Sequence, residues 1–342
     1  MKLKKFKLTE REKEKLKTEL DRVKYDPNGH CQYINDLRMI GMQYLPLRIL
    51  SFLVKQKASL CPEPYFTIEN LPIDDEVISV PLGCEAEEER HNFKSGNISE
   101  NLLIAISSII GEPYSISFEG NQIVNNLIPS IAAKDDFTGL GSEVELDFHI
   151  ENAALKYLST SNYSPQGLLL TGVNSDPDGP GTLVANGKAA LDLLDADSRR
   201  ILSEKRFILK VPYRWREALN GLAETEKVSV IIEDGEYPDL AVAFYSDIIT
   251  PCDEYAKLAL EKFHKKVKEI SIRLEINPGT LVYVDNRFGL HSRESFTPHF
   301  DNKGRAKRWI QRTFITPSLW NHRNLARSKH RVFNPGQQVS AS

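Results

Sequence analysis

Apolar positions in the first third of the chain recur at helical spacing. Between residues 5 and 22, Leu8, Leu16 and Leu20 are spaced to share one helical face among dense Lys and Glu, and Asp26-Pro27-Asn28-Gly29 then breaks the pattern, so an amphipathic helix is predicted there. A second helical stretch spans about 34 to 55 on Leu37, Ile40, Leu45, Leu47, Leu50 and Leu53, with Pro46 placed to kink or split it. Residues 99 to 111 are mostly apolar and predict a buried helix, with Ser99 as N-cap and Gly111 beyond its end. From about 113 the texture changes to short β-branched and aromatic runs separated by turn residues. Strands are expected at 114–118, 167–173, 182–185, 207–211, 228–232, 241–245, 281–284 and 311–316. One helix interrupts them at 251–272, with Leu260, Phe263, Val267 and Ile270 on one face. Many short strands and few helices point to a β-sandwich or barrel backed by helices, with a frayed tail after Asn334.

A length of 342 residues allows one elaborated domain or two ordinary ones. The 44 Lys+Arg nearly balance 47 Asp+Glu for a net charge of −3, which argues against nucleic acid or an anionic membrane as the main partner. The basic run from Lys2 to Lys17 alternates with Glu and reads as the solvated face of a helix. No apolar run approaches the roughly 18 residues of a membrane span, and charge rather than an apolar segment follows the first five residues. Export is not expected. Cys31, Cys61, Cys84 and Cys252 lack C-x-x-C spacing, so reduced thiols in a cytoplasmic protein are expected, without a cysteine-bound zinc.

The candidate chemistry begins at Glu145-Leu-Asp-Phe-His-Ile-Glu151. On an extended segment, His149 and Glu151 point to the same face and can share one metal ion. A histidine from another strand would complete a two-histidine, one-carboxylate set, which leaves three positions of an octahedral iron(II) open. Alone the pattern says little. With 8 histidines and 47 acidic residues in 342 positions, chance supplies about one H-x-[D/E], and the chain has two. The other, His299-Phe-Asp301, lies in a polar turn sequence and reads as a solvated loop. His149 instead follows an extended run. A second segment, Pro278 to Asn286 followed by Arg287-Phe-Gly-Leu-His291, ends a strand, turns, and returns His291 where the chain can re-enter a core. In the strand Arg308-Trp-Ile-Gln-Arg-Thr-Phe314, Arg308, Ile310 and Arg312 share a face. Two such arginines ordinarily line a solvated edge, but beside a metal they become carboxylate clamps.

Together the H-x-E pair, the D-N-R-x-x-x-H-x-R-x-x-F-x-P segment from Asp285 to Pro298, and the R-W-x-Q-R-x-F strand resemble the clavaminate synthase-like iron(II)/2-oxoglutarate oxygenases. The likeness is nearest to the branch that hydroxylates free asparagine, arginine and lysine, and runs over most of residues 110 to 318. It implies a mainly β fold with flanking helices, a distorted double-stranded β-helix (jelly roll) of the cupin-like kind. One oxygenase domain would span 1–342, with a helical N-terminal region at 1–112, a core at 113–318, a lid insertion at about 212–240 and a tail at 319–342. The resemblance also implies His149, Glu151 and His291 as ligands of Fe(II), with 2-oxoglutarate and O₂ as cosubstrates. Arg308 matches the arginine that grips the distal carboxylate of 2-oxoglutarate, and Thr182 the hydroxyl that assists it, although Thr182 also fits as an ordinary strand residue. The loop between His291 and Arg308 is a few residues longer than in those relatives, so Arg305 competes for that role, but the register of Trp309 favours Arg308.

Arg312 resembles the arginine that meets the substrate α-carboxylate. Asn125 falls where an amide contacts the substrate amine, although a turn cap is the commoner use of Asn, and Glu151 can add its second oxygen to that amine. Asp247, in Phe244-Tyr-Ser-Asp247, stands where arginine hydroxylases place acids against the guanidinium. One acid rather than two suits a compact ammonium better than a planar guanidinium, which favours L-lysine over L-arginine or another free amino acid as substrate. The carboxylate of Glu151, absent from related halogenases, favours hydroxylation. Outside this class the same residues admit a zinc hydrolase or a non-catalytic β-sandwich binding module, but no general base stands in an H-E-x-x-H relation to the histidines.

Overall fold

The computed structural model describes residues 3–82, 85, 92–135, 141–158, 162–217, 219–245 and 248–338. Two sheets dominate. The larger is ordered β1 (Lys4–Lys7), β2 (Tyr65–Glu69), β13 (Leu281–Asp285), β6 (Gly167–Asn174), β15 (Trp309–Thr316), β3 (Glu112–Ile116), β17 (Val332–Gln338), β16 (Leu325–Lys329), with β4 (Asn125–Leu127) pairing alongside β15. The smaller runs β12 (Ile272–Leu274), β7 (Thr182–Asn186), β14 (Gly289–Arg293), β5 (Leu146–His149). Between the expected strands and helices of the core lie two small ribbons, β8 (Phe207–Leu209) with β11 (Ile249–Pro251) and β9 (Ile231–Glu233) with β10 (Asp239–Leu240).

Strand alternation assigns the two faces of the larger sheet. Leu168, Leu170, Val282, Val284, Ile310 and Phe314 belong to one apolar cluster with Val184, Ala185 and Leu290 of the smaller sheet, so the sheets share a core. The intervening Leu169, Leu281, Tyr283 and Ile315 join a second cluster with the N-terminal helices. At its centre the helix Ile98–Ile110 is buried on every side, as expected of a helix that is apolar all round. Burying each of its large aliphatic side chains contributes about 1.5–3 kcal/mol, which outweighs the few tenths per residue that Ile and Ser cost in helix propensity. Close packing requires Gly41 in Cys31–Tyr44, because a Cβ there would stand 3.0 Å from the Ala105 carbonyl oxygen.

Several expectations are corrected. Residues 4–7 form β1, parallel to β2, and the first helix begins only at Glu10 behind a Thr9/Glu12 capping box. The second helical stretch is split at Pro46, as the sequence predicts, into Cys31–Tyr44 and Leu47–Ala58. Ser99 is inside its helix rather than capping it. Asn97 precedes the helix without a side-chain capping bond, and the distant Asp74 carboxylate accepts from the amides of Ile98 (2.8 Å) and Ser99 (3.3 Å). The 241–245 segment makes only one bridge, Ala243 to His149, yet it braces β5 through Ile150 N–H to Val242 O and Phe244 N–H to Phe148 O. Helices Gly187–Leu191, Ala196–Ser203 and Tyr213–Arg216 accompany Glu254–Ile270. The tail after Asn334 continues as β17, which pairs with β16 as far as Gln338, and residues 339–342 lie outside the described residues. Cys31, Cys61 and Cys252 are exposed free thiols, and Cys84 lies outside the described residues. Among the described residues no helix is long and apolar enough to cross a membrane.

Candidate metal centre

His149 closes β5 and His291 sits in β14, and the two are direct cross-strand partners. Directly opposed residues project to the same face, and the rings lie with centroids 4.2 Å apart. Glu151 follows two residues beyond His149, its Oε2 3.7 Å from His291 Nε2. One ligand atom from each of the three falls within 4.8 Å of the others, and no further His, Cys, Asp or Glu joins the group among the described residues. His149 Nδ1 is 2.9 Å from the Asp147 carbonyl oxygen, so that nitrogen carries the proton and Nε2 keeps its lone pair for a cation.

The electrostatics suit a cation. Burial, then the neighbouring His291, pushes His149 down to about 3, so the imidazole is neutral at physiological pH. Burial alone would raise Glu151, but the Arg312 guanidinium and the two histidines hold its carboxyl well below the usual range. Two imidazoles and a carboxylate, with no fourth side-chain ligand among the described residues, fit an iron(II) facial set with open positions.

Arg308, Ile310 and Arg312 do share a face, and it is the interior one. Arg312 bonds Glu119 at 2.8 Å and approaches Glu151 at 3.4 Å. Burial would lower its pKa, but Glu151 and Glu119 more than offset this. Arg308 differs. Burial, then the nearby Arg293, depresses it to about 9, and among the described residues no carboxylate pairs with it. Arg293 is lowered to about 10 by burial and, among the described residues, bonds only carbonyl oxygens, those of Ser142, Val144 and Glu294. Both guanidinium carbons lie against the Phe296 ring, at 5.6 and 5.7 Å. Two buried cations, neither in an ion pair among the described residues and with Asp176 only partly offsetting the cost at Arg308, form a place for an anion.

Arg305, the rival of Arg308, is committed to Glu85 (2.7 Å) and the Val80 carbonyl oxygen. Thr182 is buried opposite Arg293 across β7 and β14, which puts its side chain on the face of His291 and Arg293. Asn125 stands opposite Arg312 on β4, its amide nitrogen bonded to Ser115 Oγ and the Gln122 carbonyl oxygen, while its buried Oδ1 has no partner. Asp247 lies outside the described residues. His299 pairs with buried Asp176 at 2.6 Å, and Asp301 accepts from the amides of Lys303 and Arg305, so the second H-x-D braces a loop.

Three further residues belong to the site. Arg293 and Asn286 both lie in the Asp285-to-Pro298 motif, which was the signal available for them. Glu119 follows Phe118 in a turn, where no local pattern announces it.

No known protein-family profile matches the chain. It is 26% identical over 266 residues to L-asparagine oxygenase of Streptomyces coelicolor, covering 77% of this chain and 74% of that one. It is 23% identical over 258 residues to clavaminate synthase 2 of Streptomyces clavuligerus, covering 73% of each. It is 25% identical to L-lysine 3-hydroxylase of Catenulispora acidiphila over 69% of this chain and 62% of the other. Among solved structures, asparagine oxygenase in complex with Fe(II), 3-hydroxyasparagine and succinate superposes with a TM-score of 0.80 at 22% identity, covering 96% of this chain and 99% of that one. The non-heme iron oxygenase OrfP, in complex with a hydroxyarginine, reaches 0.78 at 21% identity with the same coverage. In sequence, and over nearly its whole length in fold, the chain is similar to the clavaminate synthase-like oxygenases.

Proposed function

We propose that this protein is an Fe(II)/2-oxoglutarate-dependent dioxygenase that hydroxylates an aliphatic carbon of a free L-amino acid, with L-lysine the first candidate and L-arginine or another amino acid the second. The observation that carries this reading is the His149, Glu151, His291 triad, together with a buried Arg308 that forms no ion pair among the described residues and shares a strand face with Arg312, which approaches Glu151. The chemistry that bound iron(II) supplies is activation of O₂ at the expense of 2-oxoglutarate, which leaves as succinate and CO₂.

The chain's own residues divide the remaining work. His149, Glu151 and His291 hold the metal. Arg308 receives the distal carboxylate of 2-oxoglutarate, Arg293 adds positive charge behind it, and the Thr182 hydroxyl assists. Arg312 takes the α-carboxylate of the substrate. Glu119, the free oxygen of Glu151 and the orphaned Asn125 Oδ1 are acceptors for its ammonium, so the cation and carboxylates of this network mirror a zwitterionic head group. Burial of these groups excludes water and strengthens each charge contact.

The two sheets with their shared core support a distorted double-stranded β-helix, and the packing of the N-terminal helices on its outer face supports one domain. The 212–240 segment, our candidate lid, is anchored by fully buried Trp215, whose ring lies 5.7 Å from Phe118 and 6.5 Å from Tyr163. The three exposed free thiols fit the reducing cytoplasm. The lysine preference rests on Asp247. A screen of free amino acids for 2-oxoglutarate-dependent succinate formation tests the reading, with lysine and arginine first. Turnover of a neutral amino acid alone would remove the Asp247 argument; zinc binding with no amino acid stimulating succinate release would remove the oxygenase.

A further inference from the structure

Glu151 lies just beyond the end of β5, in a turn where Asn152 adopts φ +53°. A ligand on a turn lacks the ladder that fixes His149 and His291, so something else must aim its carboxylate. Asn286 is placed to do so. It is fully buried, directly after β13 and five residues before His291 in the same connection.

Its side chain bonds both backbone groups of Glu151. Asn286 Oδ1 accepts from the Glu151 amide at 2.7 Å, and Asn286 Nδ2 donates to the Glu151 carbonyl oxygen at 3.0 Å. These two groups belong to the peptide units on either side of the Glu151 Cα. With both planar units held, φ and ψ of Glu151 are held, and with them the direction of its Cα–Cβ bond. Asn286 Nδ2 also approaches Ser164 Oγ (3.1 Å) and the Pro165 carbonyl oxygen (2.9 Å), while Ser164 Oγ donates to the Glu151 carbonyl oxygen at 2.7 Å. The Asn286 backbone is fixed in turn, its N–H by the Gln166 carbonyl oxygen (2.8 Å) and its carbonyl oxygen by Lys156 Nζ (3.1 Å). Every polar group of Asn286 is therefore used, and its amide crosses 135 positions of sequence to one residue.

We infer that Asn286, with Ser164, is a positioning residue that sets the carboxylate of Glu151 relative to His149 and His291 and thereby sets metal affinity. The inference rests on the proposed ligand role of Glu151. A residue that served only to hold the fold would alter stability and leave the coordination of a bound metal alone. Partners that orient a metal ligand typically change metal affinity by about 10- to 100-fold when removed.

The test is equilibrium titration of the full chain with Co(II), whose visible absorption reports ligand number and geometry, on the parent protein and on Asn286→Ala, Ser164→Ala and Glu151→Ala. The expected result is Co(II) binding weakened by about 10- to 100-fold in Asn286→Ala with an altered spectrum, and a smaller loss in Ser164→Ala, which keeps both amide bonds to Glu151. If Asn286→Ala does not fold, Ser164→Ala decides: weaker binding at an unchanged melting temperature supports the inference, and parental affinity and spectrum overturn it. Parental binding by both variants, with binding lost in Glu151→Ala, overturns the inference while sparing the ligand role. Parental binding by Glu151→Ala overturns both.

Discussion

Replacing Arg308 with Met should move two measurable quantities in opposite directions. In the ligand-free protein this guanidinium is buried, pairs with no carboxylate among the described residues, and sits near a second cation, Arg293. Its depression from the usual 12.5 to about 9 corresponds to a few kcal/mol at about 1.4 kcal/mol per pH unit. For a base whose folded pKa is lowered, that cost is fully present at every pH below the folded value, and therefore at neutral pH. Arg308→Met removes it, so the ligand-free variant should melt no lower than the parent. The opposite holds for 2-oxoglutarate. Truncating one partner of a buried charge pair costs about 2–5 kcal/mol, and at about 1.4 kcal/mol per tenfold the Kd should rise by about 30- to 4,000-fold. Calorimetric titration of the metal-loaded protein with 2-oxoglutarate, beside a thermal melt without it, reads both quantities. Arg305→Met is the control, because its Glu85 contact lies elsewhere. A Kd within about threefold of the parent in Arg308→Met, or an equal loss in Arg305→Met, would refute the assignment.

Glu119→Gln keeps the shape of the Arg312 partner while removing its charge, so the amino-acid KM should rise about tenfold or more with 2-oxoglutarate affinity unchanged; equal losses for both ligands would contradict separate sites. His322 is buried with both ring nitrogens unpartnered, and burial lowers it to about 4. Its depressed pKa means that stability present above pH about 6.5 is lost as pH falls towards 4, by roughly 3 kcal/mol. His322→Leu should flatten this part of the denaturation profile, and an unchanged slope would show that other groups carry it.

The site was legible where chemistry coincided with local pattern. His149 and Glu151 stand two apart after an extended run, Arg308 and Arg312 alternate on one strand, and Leu260, Phe263 and Val267 mark one face of the helix Glu254–Ile270. Sequence spacing could not reveal features made by contacts across the chain. β1 and β2 pair over about 60 positions, the Asp74 cap reaches 24 residues forward to Ile98, and the Glu119 carboxylate meets Arg312 across 193 residues. Asn286 was visible as a motif residue, but its purpose appears only when its amide is seen bonded to Glu151. Arg305 and Arg308 are alike in type and only the neighbouring Trp309 favoured Arg308; the Glu85 ion pair of Arg305 and its absence at buried Arg308 now separate them.

The central claim is that His149, Glu151 and His291 together hold iron(II). Anomalous diffraction at the iron edge, from crystals loaded anaerobically with iron(II), tests it most directly. The account predicts one strong peak within bonding distance of a nitrogen of each histidine and an oxygen of Glu151, with the remaining positions open to 2-oxoglutarate and water. A peak elsewhere, or none at these three side chains in protein that retains its iron, would contradict it.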